Sequence, residues 1–357
     1  MLATDPVAVV TANRPEFTHH PFFSWQQGSA PNGYFNAASI PKVQKPSGCS
    51  PLAEFFKENG FLVLQAGASA DEVDALNRET AAICRGDRGE ISGIDPTLAN
   101  TLSDDEIMRR YLCIHFPHKV SELMHQTLLH PNTVNVLTQV IGPNVKCMQS
   151  MLFIKASGKP GQAWHQDEFY IPTRDRSLLG AWIAMDDATV ENGCLWVIPG
   201  SHKHGVLWPQ HQQRDHRFDC AGEATSFPYS DDDAVPVEVK KGSIVFFNGY
   251  LLHRSLPNYA PGGFRRSLVN HYMSAESLLP WHWGEKYSGA IAGLDYRDIV
   301  MVAGKDPYAW KGIEQRAGSH VRPSGEGGCG TPERNTDALK FKNMVLVDSE
   351  DEDEHDH

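Results

Sequence analysis

Two histidines, an aspartate and an arginine carry the chemistry that can be read from this chain. In GQAWHQDEFYIP, residues 161–172, His165 and Asp167 stand two positions apart. In extended backbone the side chains at i and i+2 share a face, so imidazole and carboxylate converge while Gln166 turns away. Alone, such a pair fits a hydrogen-bonded surface contact at least as well as two metal ligands. FFNGYLLHRSLPN decides between them, because it places His253 at the rim of an apolar strand, just before a turn. Two imidazoles and one carboxylate on one face of a metal suit non-heme iron(II) and leave three coordination positions open. Hydrolytic zinc sites are richer in histidine or cysteine, and four-coordinate structural zinc leaves nothing open. Twelve residues beyond His253, in GGFRRSLVNHY, Arg265 falls on what should be the next antiparallel strand. A guanidinium in a partly dry pocket grips a carboxylate through two parallel bonds, which points to a dicarboxylate cosubstrate anchored at both ends.

The elements that must position these residues come in two textures. The first fifty residues are rich in Pro, Ser, Asn and Gly and read as an irregular arm. SPLAEFFKENG predicts a helix stopped by Gly60, and FLVLQ a strand. Ser69 with Glu72 forms a capping box for a helix whose face is Val73, Leu76 and Ile83 and whose end is Gly86. A second helical region spans about Val120 to Val140, interrupted near Pro131. From Val145 the chain turns into short β-branched and aromatic runs separated by Gly and Pro, the pattern of an antiparallel sandwich or barrel. The expected class is α+β, with the helices packed on one sheet. We expect a single catalytic domain over 51–321: helices in 51–141, a strand core over about 145–274 and a cover from about 275. Residues 322–357 lack an apolar pattern and are expected to form a mobile acidic tail.

Composition narrows the function. At 357 residues and 41% hydrophobic content the chain can bury a substantial core. Its net charge of −12 is concentrated in the run DSEDEDEHDH, which holds seven carboxylates. No basic stripe exists, so nucleic acid is not an expected partner; a small molecule is. Seven scattered cysteines without a CxxC pair, and no apolar run of membrane-spanning length, lead us to expect a reducing, cytoplasmic setting. Other motifs receive plainer readings. His202 and His204 sit in a solvated turn, and His271 is a core strand histidine. Trp208, Trp281, Trp283 and Trp310 are loop aromatics, and Glu168, Phe169, Tyr170, Arg174 and Arg176 face the pocket entrance.

From about Phe55 to Ser274 the chain resembles the phytanoyl-CoA dioxygenase family of iron(II)/2-oxoglutarate oxygenases. The matching motifs are QSMLFIK, WHQD with the following Tyr and Pro, LGAWIAMDD, ENGCLWVIPGSHK, VFF and LLHRSLPN with FRRSL, in that order. The resemblance implies a double-stranded β-helix (jelly-roll, cupin-like) with His165, Asp167 and His253 as iron ligands. It implies that Arg265, with Ser255 nearby, binds the distal carboxylate of 2-oxoglutarate, and that Met151, Gln166 and Trp182 line the same pocket. Because Arg266 follows directly, either arginine can fill the anchoring position. Halogenating relatives carry a small residue where this chain keeps Asp167, so the implied outcome is hydroxylation, or a related desaturation or ring-forming oxidation. The reaction would consume O2 and release succinate and CO2 while oxidising an unactivated C–H bond of a small metabolite. The alternatives are a cupin-type metalloenzyme without cosubstrate and a non-catalytic binding module on the same scaffold.

Overall fold

The computed structural model describes residues 33–40, 50–219, 222–277, 299–313 and 318–322, and in it all the α-helices fall before the long run of strands that begins at Val145, with three short strands set before or among them. A short strand, β1 (Tyr34–Asn36), is followed by helix α1 (Pro51–Asn59), strand β2 (Phe61–Gln65) and helix α2 (Ala70–Arg85). Their ends follow from local chemistry. Ser50 and Ser69 accept the N–H groups of Ala53 and Glu72, Glu72 accepts the Ser69 N–H in return, and Gly60 and Gly86 close the helices in the left-handed region. Helix α3 (Asp104–Met108), strand β3 (Cys113–His115), helix α4 (Glu122–Leu128) and helix α5 (Pro131–Val140) come next. Pro131 opens α5, where its missing N–H costs no helical bond.

The strands then run in close succession. They are β4 (Val145–Ala156), β5 (Gln162–His165), β6 (Leu179–Ala184), β7 (Leu195–Val197) and β8 (Gln210–Gln212). After them come β9 (Gly222–Ala224), β10 (Val235–Val237), β11 (Ile244–Asn248), β12 (His253–Ser255) and β13 (Phe264–Ser274). Two short strands follow, β14 (Val300–Ala303) and β15 (His320–Val321). Among the described residues they form a large sheet in the order β1-β2-β11-β6-β13-β4-β3-β15, with β14 also on β4, and a four-stranded sheet β10-β7-β12-β5. The two sheets face each other as the halves of a double-stranded β-helix.

Strict alternation divides the large sheet into two faces. Leu62 and Leu64, Leu152 and Ile154, Ile183, Ile244, Phe246 and Leu268 pack against Val73, Leu76, Met124, Leu128 and Val136 of the helices. Their neighbours Val63, Met151, Phe153, Trp182, Val245, Phe247 and Val269 point instead toward the small sheet, where they meet Trp164, Leu195, Val197 and Val235. Each strand therefore contributes one set of residues to a helix-facing core and the other to the space between the sheets.

Some expectations shift. The arm contributes β1, which pairs in parallel with β2, and the cover adds β14 and β15 to the large sheet rather than only packing beside it. Arg322, placed in the tail by its sequence context, is buried. Arm residues 1–32 and 41–49, Trp281, Trp283 and positions 323–357 lie outside the described residues. Trp310 is exposed, and Trp208 is half-buried.

The small sheet has one very close contact. A Cβ on Gly161, just before β5, would stand 1.8 Å from the Ser255 carbonyl oxygen, which is backbone and has nowhere to retreat. Gly161→Ala should therefore lower stability by about 1–3 kcal/mol through forced separation of β5 and β12. Gly262→Ala, where nothing lies within 4 Å of the new carbon, should leave denaturant melts unchanged.

Candidate metal and cosubstrate site

Strand pairing brings the histidines together. β12 runs antiparallel to β5 with His253 directly opposite His165, and their ring centroids are 4.1 Å apart. Asp167 reaches them differently from the sequence expectation. The strand ends at His165, Gln166 stays extended, and Asp167 begins a single 3₁₀ turn, so the carboxylate is delivered from the strand's end rather than along it. The ligand atoms of His165, Asp167 and His253 all lie within 4.8 Å of one another.

The hydrogen bonds fix which atoms face inward. His165 Nδ1 lies 2.8 Å from the Ala163 carbonyl and His253 Nδ1 3.0 Å from the Leu251 carbonyl. A carbonyl only accepts, so each Nδ1 carries a hydrogen and Nε2 is the atom each ring can offer to a metal. Those Nε2 atoms stand 3.7 Å and 3.6 Å from Asp167 Oδ1, too far for hydrogen bonds and suited to ligands around a shared ion. Asp167 Oδ2 instead accepts a bond of 3.1 Å from His271 Nε2 on β13. Burial pushes the His165 imidazole down to about 4, aided by His253 and opposed by Asp167, so it is neutral near pH 7. Burial opposes charge on Asp167, yet His253, His271 and His165 outweigh it and hold the carboxyl below its ordinary range. Two imidazoles and a carboxylate are the donor set that iron(II) takes with positions to spare, so the residues fit the ion.

At the other end of the same cavity stands Arg265. It is 3% exposed, its guanidinium lies 5.4 Å from the Trp182 ring centre, and Nη1 donates to Ser267 Oγ at 3.1 Å. Nε is buried without a hydrogen-bond acceptor, and no carboxylate among the described residues ion-pairs with it. Burial pulls its pKa down to about 10. A buried guanidinium in this condition fits an anionic ligand, since an unpaired buried charge is costly. Arg266 is in a different situation: its Nε and Nη2 grip Asp186 at 2.8 Å and 2.7 Å on the opposite face of β13. One step along a strand reverses the side-chain direction, which separates the two arginines.

Met151, Trp182 and Ser255 also line the cavity, with Phe153, Tyr170, Leu195, Phe247, Arg254 and His271. Gln166 does not. Its Nε2 donates to the carbonyls of Val206 and Tyr250, its Oε1 accepts the Trp208 N–H, and the amide is fully used in holding that loop. Of the expected entrance residues, Tyr170 lines the cavity and Arg174 and Arg176 are exposed. Glu168 is buried and accepts from the Thr173 N–H and hydroxyl. Burial raises its carboxyl to about 7. His202 bonds the Lys57 carbonyl, and neither it nor His204 joins the ligand cluster.

Three residues escaped the sequence reading. His271 was assigned to the core, but it sits six positions after Arg265 and so shares its face of β13; that spacing was the available signal. Lys155 shares the parity of Met151 and Phe153 within QSMLFIK. Arg322 forms a buried pair with Asp219 at 2.5 Å and lies 5.5 Å from the Phe153 ring centre, a contact made across the fold and invisible in local sequence.

Comparisons with known proteins agree with this geometry. Residues 56–267 match the profile of the family described as Phytanoyl-CoA dioxygenase (PhyH). The chain is 30% identical to phytanoyl-CoA dioxygenase 1 of Oryza sativa subsp. japonica over 252 residues, covering 62% of this chain and 88% of that one. It is 30% identical to the peroxisomal phytanoyl-CoA dioxygenase of Mus musculus over 276 residues, 73% and 77% of the two chains. Among solved structures, the apo non-heme monooxygenase ThoJ matches at a TM-score of 0.54 and 20% identity, covering 82% of this chain and 94% of its own, which supports the fold. The matched profile spans more than half of the chain and includes both histidines, the aspartate and the arginine, so the chain belongs to the phytanoyl-CoA dioxygenase family and is an iron(II)/2-oxoglutarate-dependent oxygenase that uses O2.

Proposed function

We propose that the enzyme hydroxylates an unactivated C–H bond of a small organic metabolite, with iron held by His165, Asp167 and His253. The observation that carries this reading is the pairing, in one cavity, of three convergent ligand atoms with a buried arginine that ion-pairs with no carboxylate among the described residues. When bound, iron with 2-oxoglutarate and O2 supplies the oxidising power and releases succinate and CO2.

The chain's own residues would do the rest. His165 and His253 would offer Nε2 to the metal, each ring held in orientation by the bond from its Nδ1 to a backbone carbonyl. His271 donates to the outer oxygen of Asp167 and leaves Oδ1 for the metal. Arg265 and Ser255 would hold the distal carboxylate, and Met151 and Trp182 would flank the cosubstrate. Phe153, Leu195, Phe247 and Val269 keep water out, which strengthens every charge interaction inside. Retention of Asp167 favours hydroxylation, or desaturation or ring formation, over halogenation. The mixed border of Tyr170, Gln162 and Arg254 suits a compact molecule with polar groups better than a bare hydrocarbon. A cytoplasmic setting remains part of the proposal.

An anaerobic titration with iron(II) and 2-oxoglutarate against a metabolite library tests it. A substrate should shift the visible charge-transfer band and, once air is admitted, yield succinate in proportion to product. Oxygen uptake without succinate would instead identify a metalloenzyme that works without cosubstrate. Asp167→Ala should abolish hydroxylation, and full retained activity would refute the ligand set. His271→Ala should weaken metal affinity by roughly 10–100-fold with the fold intact, read by calorimetric metal titration. Arg265→Ala should weaken 2-oxoglutarate binding by about tenfold or more, the range of a charge-assisted bond. Arg266→Ala should lower thermal stability and leave that affinity within about twofold, because the stabilising ion pair it removes is on the other face.

A further inference from the structure

Arg265 has a second cation beside it. Lys155 on β4 is its direct cross-strand partner, 2% exposed, on the face turned toward the small sheet. Neither residue ion-pairs with a carboxylate among the described residues. The Lys155 ammonium donates to the Leu256 carbonyl at 2.7 Å, to Ser255 Oγ at 3.0 Å and to the Gly193 carbonyl at 3.3 Å. Three hydrogens meet three acceptors. Ser255 Oγ accepts a second bond, 3.3 Å from the Gln162 N–H. A hydroxyl oxygen has two lone pairs, so with both engaged Ser255 has only its own hydrogen left to give. Ser255 lines the cavity that also holds the Arg265 guanidinium.

We propose that Lys155 is a positioning residue for 2-oxoglutarate: by occupying a lone pair of Ser255 it makes that hydroxyl an obligate donor to the distal carboxylate. This rests on the assignment of Arg265 and Ser255 to that carboxylate given above. It accounts for a buried lysine that reaches from β4 to Ser255 on the small sheet despite the cost of burying its charge. Burial and the neighbouring Arg265 both push its ammonium well below the ordinary lysine range, and an incoming carboxylate would favour the charged form. A purely structural strut linking β4 to the residues near 193 and 256 would need neither Ser255 nor the cosubstrate.

Isothermal titration of full-length protein loaded with Mn(II), a redox-silent stand-in for iron, separates the two roles. The ligands are 2-oxoglutarate and 2-oxobutyrate, which lacks the distal carboxylate. Lys155→Met should weaken 2-oxoglutarate binding by about 5- to 30-fold and change 2-oxobutyrate binding by less than about twofold. In a Ser255→Ala background the same substitution should cost less than about threefold, because the hydroxyl it orients is gone. Equal weakening of both ligands, no weakening, or an undiminished effect in the Ser255→Ala background would overturn the proposal. Should Lys155→Met fail to fold, Ser255→Ala alone must weaken 2-oxoglutarate selectively, and unchanged affinity there would overturn it as well. Arg265→Ala serves as the reference: if it leaves 2-oxoglutarate affinity unchanged, the underlying assignment falls regardless of what Lys155 does.

Discussion

Strand β12 lies against β5 with His253 opposite His165, and the remainder of the structure serves that pairing. The approach is close enough that residue 161 has no room for a side chain. Each histidine is locked by a carbonyl two residues before it, so the backbone that sets the strand spacing also sets the tautomer and the direction of both Nε2 atoms. Asp167 closes the group from a turn, and His271 on the opposite sheet fixes its rotation. The site is thus a clamp between two sheets, and its precision depends on how those sheets are held apart.

That separation is maintained by residues of two kinds. Apolar side chains from the inner faces fill most of the space, and a few buried polar groups cross it. The charges are laid out along the cavity: a carboxylate between two imidazoles at one end, the Arg265 guanidinium at the other. An iron dication beside Asp167 leaves one positive charge, Arg265 adds another, and a dicarboxylate brings two negative charges. In a cavity lined by buried side chains such matching decides affinity, since unpaired charge is expensive there.

Much of this was legible in the sequence because it is local. Capping serines and terminating glycines marked α1 and α2, and alternation marked the strands. The ligand residues sat in motifs whose order is specific. What was not legible depends on contacts between distant strands. The choice between Arg265 and Arg266 needed the register of β13 and the presence of Asp186 on its far side. Gln166 stands beside two ligands in sequence yet spends its amide on the loop at 206–208, which only the folded chain brings near. His271 read as a core residue because nothing near it in sequence announces a bond to a carboxylate 104 positions earlier. Arg322 lies beyond the patterned region and is buried by a strand pairing of two residues.

X-ray absorption at the iron edge, on protein loaded anaerobically with iron(II), tests the central claim most directly. Two imidazole nitrogens should appear in the coordination shell of the native protein, and one in each of His165→Ala and His253→Ala. An imidazole count that stays the same in both variants would place the metal elsewhere and contradict the account.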